Sequence, residues 1–188
     1  MKMLVVLGSP RKNANSETLA RKVAEGFGGV VEYVRLNDLS IRPCQGCGGC
    51  DKTGNCIVKD DMVQMYELVD GADRIVLASP VYFYGLSAQC KAFGDRFQAR
   101  WARKYLLKER FRPDEERKGY LLSTAATRGP KIFDCSLLTT RYIFDAMDVE
   151  YGGEFLVKGV DKRKAVQDHP DDILRAVQFG KDIAEGVL

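Results

Sequence analysis

The chain has 188 residues, 45% of them hydrophobic and 29% charged, and its 29 basic and 26 acidic side chains leave a formal net charge of +3. That length suits a single domain spanning residues 1–188. The charge balance lacks the clustered basic face of a nucleic-acid binder, and no run approaches the roughly 20 apolar residues of a membrane span.

The first apolar run, Met3-Leu-Val-Val-Leu7, closes on Gly8-Ser9-Pro10 and reads as a buried parallel strand. It is too short for the core of a secretory leader, so a cytoplasmic protein is expected. Residues 16–27 carry Leu19, Ala20, Val23, Ala24 and Phe27 at helical spacing, and residues 30–36 form a second strand. A Gly/Cys-rich loop over 43–57 leads to a helix over 60–70 with Met62, Met65, Tyr66 and Val69 on one face. A third strand covers 75–78 and ends at Ser79-Pro80, and a helix follows over 87–100. The connection over about 100–118 is basic and reads as mostly solvated helix, long enough to cover a pocket or reach a partner subunit. Then come a strand over 120–123, a helix over 133–147 and a strand over 149–157 interrupted by Gly152-Gly153. A last helix starts at Asp168-His169-Pro170, with His169 in the capping region. Strict β/α alternation predicts an α/β fold with a doubly wound five-stranded parallel sheet of order 2-1-3-4-5. Its ligand crevice should open between strands 1 and 3.

The loops at that crevice carry the candidate chemistry. After strand 1, Ser9, Arg11, Asn13, Asn15 and Ser16 surround a helix N-terminus, an anion site furnished with hydroxyls, amides and a guanidinium. The same residues also suit a plain helix cap, with Asn15 or Ser16 as the capping side chain. The loop is neither a P-loop nor a dinucleotide fingerprint, because both glycine patterns are missing. After strand 3, Pro80-Val81-Tyr82-Phe83-Tyr84 places three aromatics at the crevice mouth, suiting a flat ligand or a neighbouring subunit. After strand 4, Thr124, Thr127 and Gly129 form a small polar third wall.

Six cysteines in an intracellular chain point to metal or redox chemistry rather than disulfides. Cys44, Cys47, Cys50 and Cys56 lie in a C-x2-C-x2-C-x5-C run that can wrap a [4Fe–4S] cluster, or can simply shape the loop. Zinc fits less well, since all-cysteine zinc sites split into two separated knuckles. A thioredoxin-type couple is disfavoured because neither pair opens a helix. Cys90 and Cys135 fall on helices and read as small buried hydrophobes.

Together Gly8-Ser9-Pro10-Arg11, Asn15-Ser16, Lys59-Asp60-Asp61-Met62, Ser79-Pro80-Val81-Tyr82 and the run from Ala88 to Arg96 resemble the NAD(P)H-dependent FMN reductase superfamily. Within it the chain is most similar to the iron–sulfur flavoproteins, over residues 1–100. The resemblance implies a flavodoxin-like fold and a homodimer or homotetramer. It implies FMN with its phosphate on Ser9, Arg11, Asn15 and Ser16 and its ring on Pro80, Val81, Tyr82 and Phe83. Ala14 stands where a glycine is frequent, so the backbone there should keep a negative φ or bear strain.

The expected function is an FMN-dependent oxidoreductase taking electrons from NAD(P)H, with no dedicated catalytic side chain. The alternative is an iron–sulfur flavoprotein electron carrier with a [4Fe–4S] cluster on residues 44–56. A flavin-less binding module is the remote third reading. A phosphoacceptor domain is excluded, because Gly8-Ser9 and Ser79-Pro80 stand where acids would be needed.

Overall fold

Along β1 (Lys2–Leu7) Met3, Val5 and Leu7 enter one hydrophobic core while Leu4 and Val6 enter another, and all five are buried. A strand apolar on both faces must lie in the middle of a covered sheet. The computed structural model, which describes residues 1–188, shows that sheet: five parallel strands in the order β2-β1-β3-β4-β5. The remaining strands are β2 (Val30–Arg35), β3 (Arg74–Pro80), β4 (Lys118–Ala125) and β5 (Glu150–Lys158). The expected order and flavodoxin-like class are therefore observed.

Helices α1 (Asn15–Phe27) and α6 (Pro170–Glu185) cover one face. Helices α2 (Met62–Asp70), α3 (Ala88–Asp95), α4 (Gln98–Trp101) and α5 (Asp134–Ala146) cover the other. The stripes read from the sequence are the buried ones: Leu19, Ala20, Val23, Ala24 and Phe27 on α1, and Met62, Met65, Tyr66 and Val69 on α2. The glycine pair in β5 does not interrupt the strand. Gly119 pairs with Tyr151 and Tyr120 with Gly153, so Gly152 is skipped as a bulge and the ladder continues.

Three expectations are corrected. The helix expected over 87–100 breaks between Asp95 and Gln98, and a wide turn over Ala102–Leu106 ends it. Beyond it, residues 107–117 are irregular, and their arginines are engaged rather than simply solvated. Arg112 pairs with Asp73, Arg110 with Asp148, and buried Arg117 donates to the carbonyls of Val69, Ala72 and Met147. Cys135 is exposed on α5, whose buried face is carried by Ser136, Thr140, Ile143 and Phe144. Cys90 is fully buried as expected, and burial pushes its thiol up to about 11.

Helices α1 and α6 meet backbone to backbone. A Cβ on Gly180 would stand 1.9 Å from the Val23 carbonyl oxygen, and one on Gly26 would stand 1.9 Å from that of Val177. Glycine to alanine inside a helix ordinarily stabilises by roughly 1 kcal/mol. Here the overlap is with main chain that cannot step aside. Gly180→Ala is expected to lower the unfolding free energy by roughly 1–3 kcal/mol in urea titration; an unchanged or raised midpoint contradicts this packing.

Candidate functional site

Three loops at the carboxyl ends of β1, β3 and β4 are tied together by buried hydrogen bonds. The Gly8 N–H donates to the Ala78 carbonyl at 2.8 Å, and the Ser87 hydroxyl donates to the Gly8 carbonyl at 2.7 Å. The Ser123 hydroxyl reaches the Ser79 carbonyl at 2.9 Å, and the Val81 N–H reaches the Thr124 carbonyl at 2.8 Å. Only glycine fits at position 8, since a Cβ there would lie 1.9 Å from the Cys90 sulfur. The first loop is thus pressed onto α3 before it turns into α1.

Between these loops lies a cavity of about 80 Å³ lined by Ser9, Arg11, Asn15, Ser16, Pro80, Val81, Tyr82 and Thr124. Eight of the twelve residues expected around the cofactor are thereby brought together. Asn13, Phe83, Thr127 and Gly129 do not line it. The volume suits a phosphate rather than a whole flavin, and the start of α1 leaves its first N–H groups free to face an anion.

Local chemistry explains how that helix starts. Ala14 is the N-cap with φ of −72°, and the left-handed residue is Asn13, at 53°. The Asn13 N–H donates to the Glu17 carboxylate at 2.7 Å, which closes the first turn. Glu17 is only 2% exposed and is also held by Arg21 and Arg35. Burial raises its pKa, but the hydrogen bonds from Arg35, Arg21 and the Asn13 N–H prevail and hold it below the usual carboxylate range. The amide of Asn15, a residue of the cavity wall, is engaged within the chain. Its Nδ2 donates to the Val160 and Lys162 carbonyls at 3.3 and 3.0 Å, and its Oδ1 accepts from the Val166 N–H at 3.1 Å. Val160, Asp161 and Arg163 join the cavity lining. Sequence reading missed them; the signal was the basic triplet Lys162-Arg163-Lys164 just beyond the last strand.

The aromatic loop is a tight two-residue turn. Tyr82 and Gly85 exchange both backbone hydrogen bonds, and Phe83 and Tyr84 between them have φ of 48° and 64°. Such a turn ordinarily selects Asn-Gly. A side chain in the left-handed region costs roughly 1–2 kcal/mol, so the turn is strained. Phe83 is fully exposed, at 104%. The Tyr84 hydroxyl rests against Gly129, where a Cβ would be 2.9 Å from it.

A second and larger cavity, about 370 Å³, is lined by Cys44, Cys47, Cys50 and Cys56 together with Asp95 and Arg96. The loop wraps it through Gly46, Gly48 and Gly54, all with φ between 62° and 67°. As they stand, no three His, Cys, Asp or Glu side chains are grouped tightly enough to hold a metal ion. One guanidinium gathers both ends of the loop. Arg96, 1% exposed, donates to the Arg42 carbonyl at 2.8 Å, the Val58 carbonyl at 3.3 Å and the Asp60 carboxylate at 2.6 Å. Its Nη2 stands 3.5 Å from the Cys56 sulfur, and its buried Nε has no partner. Four thiols, left-handed glycines and a buried cation with a free donor fit an anionic iron–sulfur group.

The strain at Phe83 yields a test of whether this turn is built for a ligand. Asparagine tolerates the left-handed region, and the Phe83 ring packs on nothing within the chain. Phe83→Asn is expected to raise the unfolding free energy by up to about 1 kcal/mol while weakening flavin binding. A loss of stability in thermal denaturation contradicts the strain assignment.

An iron–sulfur flavoprotein of Archaeoglobus fulgidus is 42% identical over 99 residues, covering 51% of this chain and 45% of that protein. A Bacillus subtilis protein named as an NAD(P)H-dependent FMN-containing oxidoreductase is 28% identical over 181 residues, covering 93% and 90%. The chain spans about half the length of the curated iron–sulfur flavoproteins it matches. Among solved structures, an NAD(P)H:quinone oxidoreductase from Methanothermobacter marburgensis superimposes with a TM-score of 0.68 at 15% identity, covering 97% of this chain and 96% of that one, which shows the shared fold. No helix is long and apolar enough to cross a membrane. Residues 1–151 match the model of the NADPH-dependent FMN reductases, and the chain belongs to that family.

Proposed function

We propose that the protein is an FMN-dependent oxidoreductase that takes electrons from NAD(P)H and passes them to an acceptor. The observation that carries this reading is the phosphate-sized cavity where β1 meets α1, walled by the aromatic loop after β3. Bound FMN supplies the hydride and single-electron chemistry; the chain supplies place and charge. Ser9, Ser16 and the first N–H groups of α1 offer donors to the phosphate, and Arg11 offers a guanidinium that forms no salt bridge within the chain. Pro80, Val81 and Tyr82 would flank the ring, with Phe83 projecting beyond them. Thr124 lines the same wall, while Thr127 and Gly129 lie on the adjoining loop. A second copy of the chain is a fitting cover for Phe83, consistent with a homodimer or homotetramer. A protein of this kind, without a membrane-crossing helix, suits the cytoplasm.

The cysteine cavity supports a second, compatible reading, in which a [4Fe–4S] cluster held by Cys44, Cys47, Cys50 and Cys56 makes the protein an electron carrier. Such a group supplies one-electron traffic. Arg96 would offer its N–H groups to the cluster's sulfur side and keep both ends of the loop closed.

Purified protein is expected to release FMN and not FAD on extraction; FAD as the main flavin contradicts the reading. Arg11→Ala should weaken FMN binding by roughly 1–3 kcal/mol, the range for a hydrogen bond to a charged group. Protein reconstituted anaerobically should hold about four irons and four sulfides per chain, as that cluster type requires. Replacing any of the four loop cysteines with Ala should abolish the iron while FMN stays bound. Reconstitution that yields no stoichiometric iron overturns the cluster and leaves the flavin reading standing.

A further inference from the structure

We propose that Arg163 is a second cation for the FMN phosphate, and that Asn15 is the positioning residue that holds it there. The inference rests on the flavin reading above and concerns a part of the chain, beyond residue 151, that lies outside the family match. The segment after β5 runs beside α1 and places Val160, Asp161 and Arg163 in the wall of the same cavity as Ser9 and Arg11.

An arginine on an irregular loop ordinarily swings freely, but this loop is pinned. Gly159 and Val160 donate to the Ala125 carbonyl at 2.8 and 3.1 Å. The Asn15 amide grips the Val160 and Lys162 carbonyls and the Val166 N–H, and Asn15 itself is 7% exposed. Lys164, directly after Arg163, takes a left-handed φ of 66°, a conformation that persists only where the surroundings enforce it. Val166 is fully buried and anchors the far end.

Charge decides what the cavity can take. Of its three ionised side chains, Arg11 and Asp161 cancel, so without Arg163 the wall would be neutral. Arg163 leaves the three at a net +1, and the start of α1 adds roughly half a charge. A phosphate monoester carries about −1.5 to −2. The site matches that charge only with Arg163 counted. Neither Arg11 nor Arg163 has a salt-bridge partner in the chain, whereas Arg35, Arg96, Arg100, Arg110 and Arg112 all do. Arg11 and Arg163 both line the cavity, and no ion pair within the chain occupies either guanidinium.

The test compares FMN with riboflavin, which lacks the phosphate, on flavin-free full-length protein. Arg163→Ala should raise the FMN dissociation constant about 10- to 100-fold and leave that of riboflavin unchanged, with Arg163→Lys recovering part of the loss. Asn15→Ala should act in the same direction, again on FMN only. Asp161→Asn should tighten FMN, since it removes the opposing charge. An Arg163→Ala protein that binds FMN as tightly as wild type overturns the proposal, as does an equal loss for both flavins. Wild-type protein that binds neither flavin overturns the flavin reading together with it.

Discussion

The site exists because the chain changes direction between β1 and β3. From β1 the chain leaves through α1 on one face of the sheet, and from β3 it leaves through α3 on the other. The two loops therefore diverge, and the gap between them is the one place at the carboxyl edge where a ligand meets two strand ends and a helix N-terminus together. The rest of the local structure serves that gap. Gly8 lets the first loop lie against Cys90, Ser79 and Ser87 bridge the second loop to the first, and Ser123 ties β4 to β3.

One short helix joins the two candidate sites. At the N-terminus of α3 the Ser87 side chain accepts from the Cys90 N–H and donates to the Gly8 carbonyl in the loop after β1. Just past its C-terminus Arg96 gathers the cysteine loop, with Asp60 as its counter-charge. Eight residues of helix span roughly 12 Å, so a rigid element of that length sets the relation between the crevice loops and the thiols. The Arg96–Asp60 pair is buried on both sides, 1% and 6% exposed, so breaking either partner would leave an uncompensated charge against the core. Asp60 is held below the usual carboxylate range: burial opposes this, and hydrogen bonds from Arg96, the Arg42 N–H and the Met62 N–H outweigh it.

The sheet and the buried helix faces were legible in the sequence because β1 is a continuous apolar run that must be covered on both faces, strands and helices alternate, and α1 and α2 carry apolar stripes near 3.6 residues. That the loop after β1 faces the crevice was legible because an apolar strand closing on Gly8-Ser9-Pro10 ahead of a helix marks the turn at the strand's carboxyl end, and Ser9, Arg11, Asn15 and Ser16 do line the cavity there. What stayed hidden was long-range polar geometry. Asn15 reads in sequence as a ligand or a cap, yet its amide is committed to residues about 145–151 positions away. Arg163 has no local pattern that places it in the same cavity wall as Arg11. Asp60 and Arg96 lie 36 residues apart and are joined only by tertiary folding. Cys135 misled because helical position alone does not say which face is covered.

The central claim is that flavin binds at the carboxyl ends of β1, β3 and β4 rather than in the larger cysteine cavity. Hydrogen exchange of backbone amides, measured by mass spectrometry on flavin-free protein with and without added FMN, separates the two directly. The account predicts slowed exchange in residues 9–17, 80–85 and 124–129, with residues 44–56 unchanged. Slowing confined to residues 44–56, with the three loops exchanging as before, would contradict it.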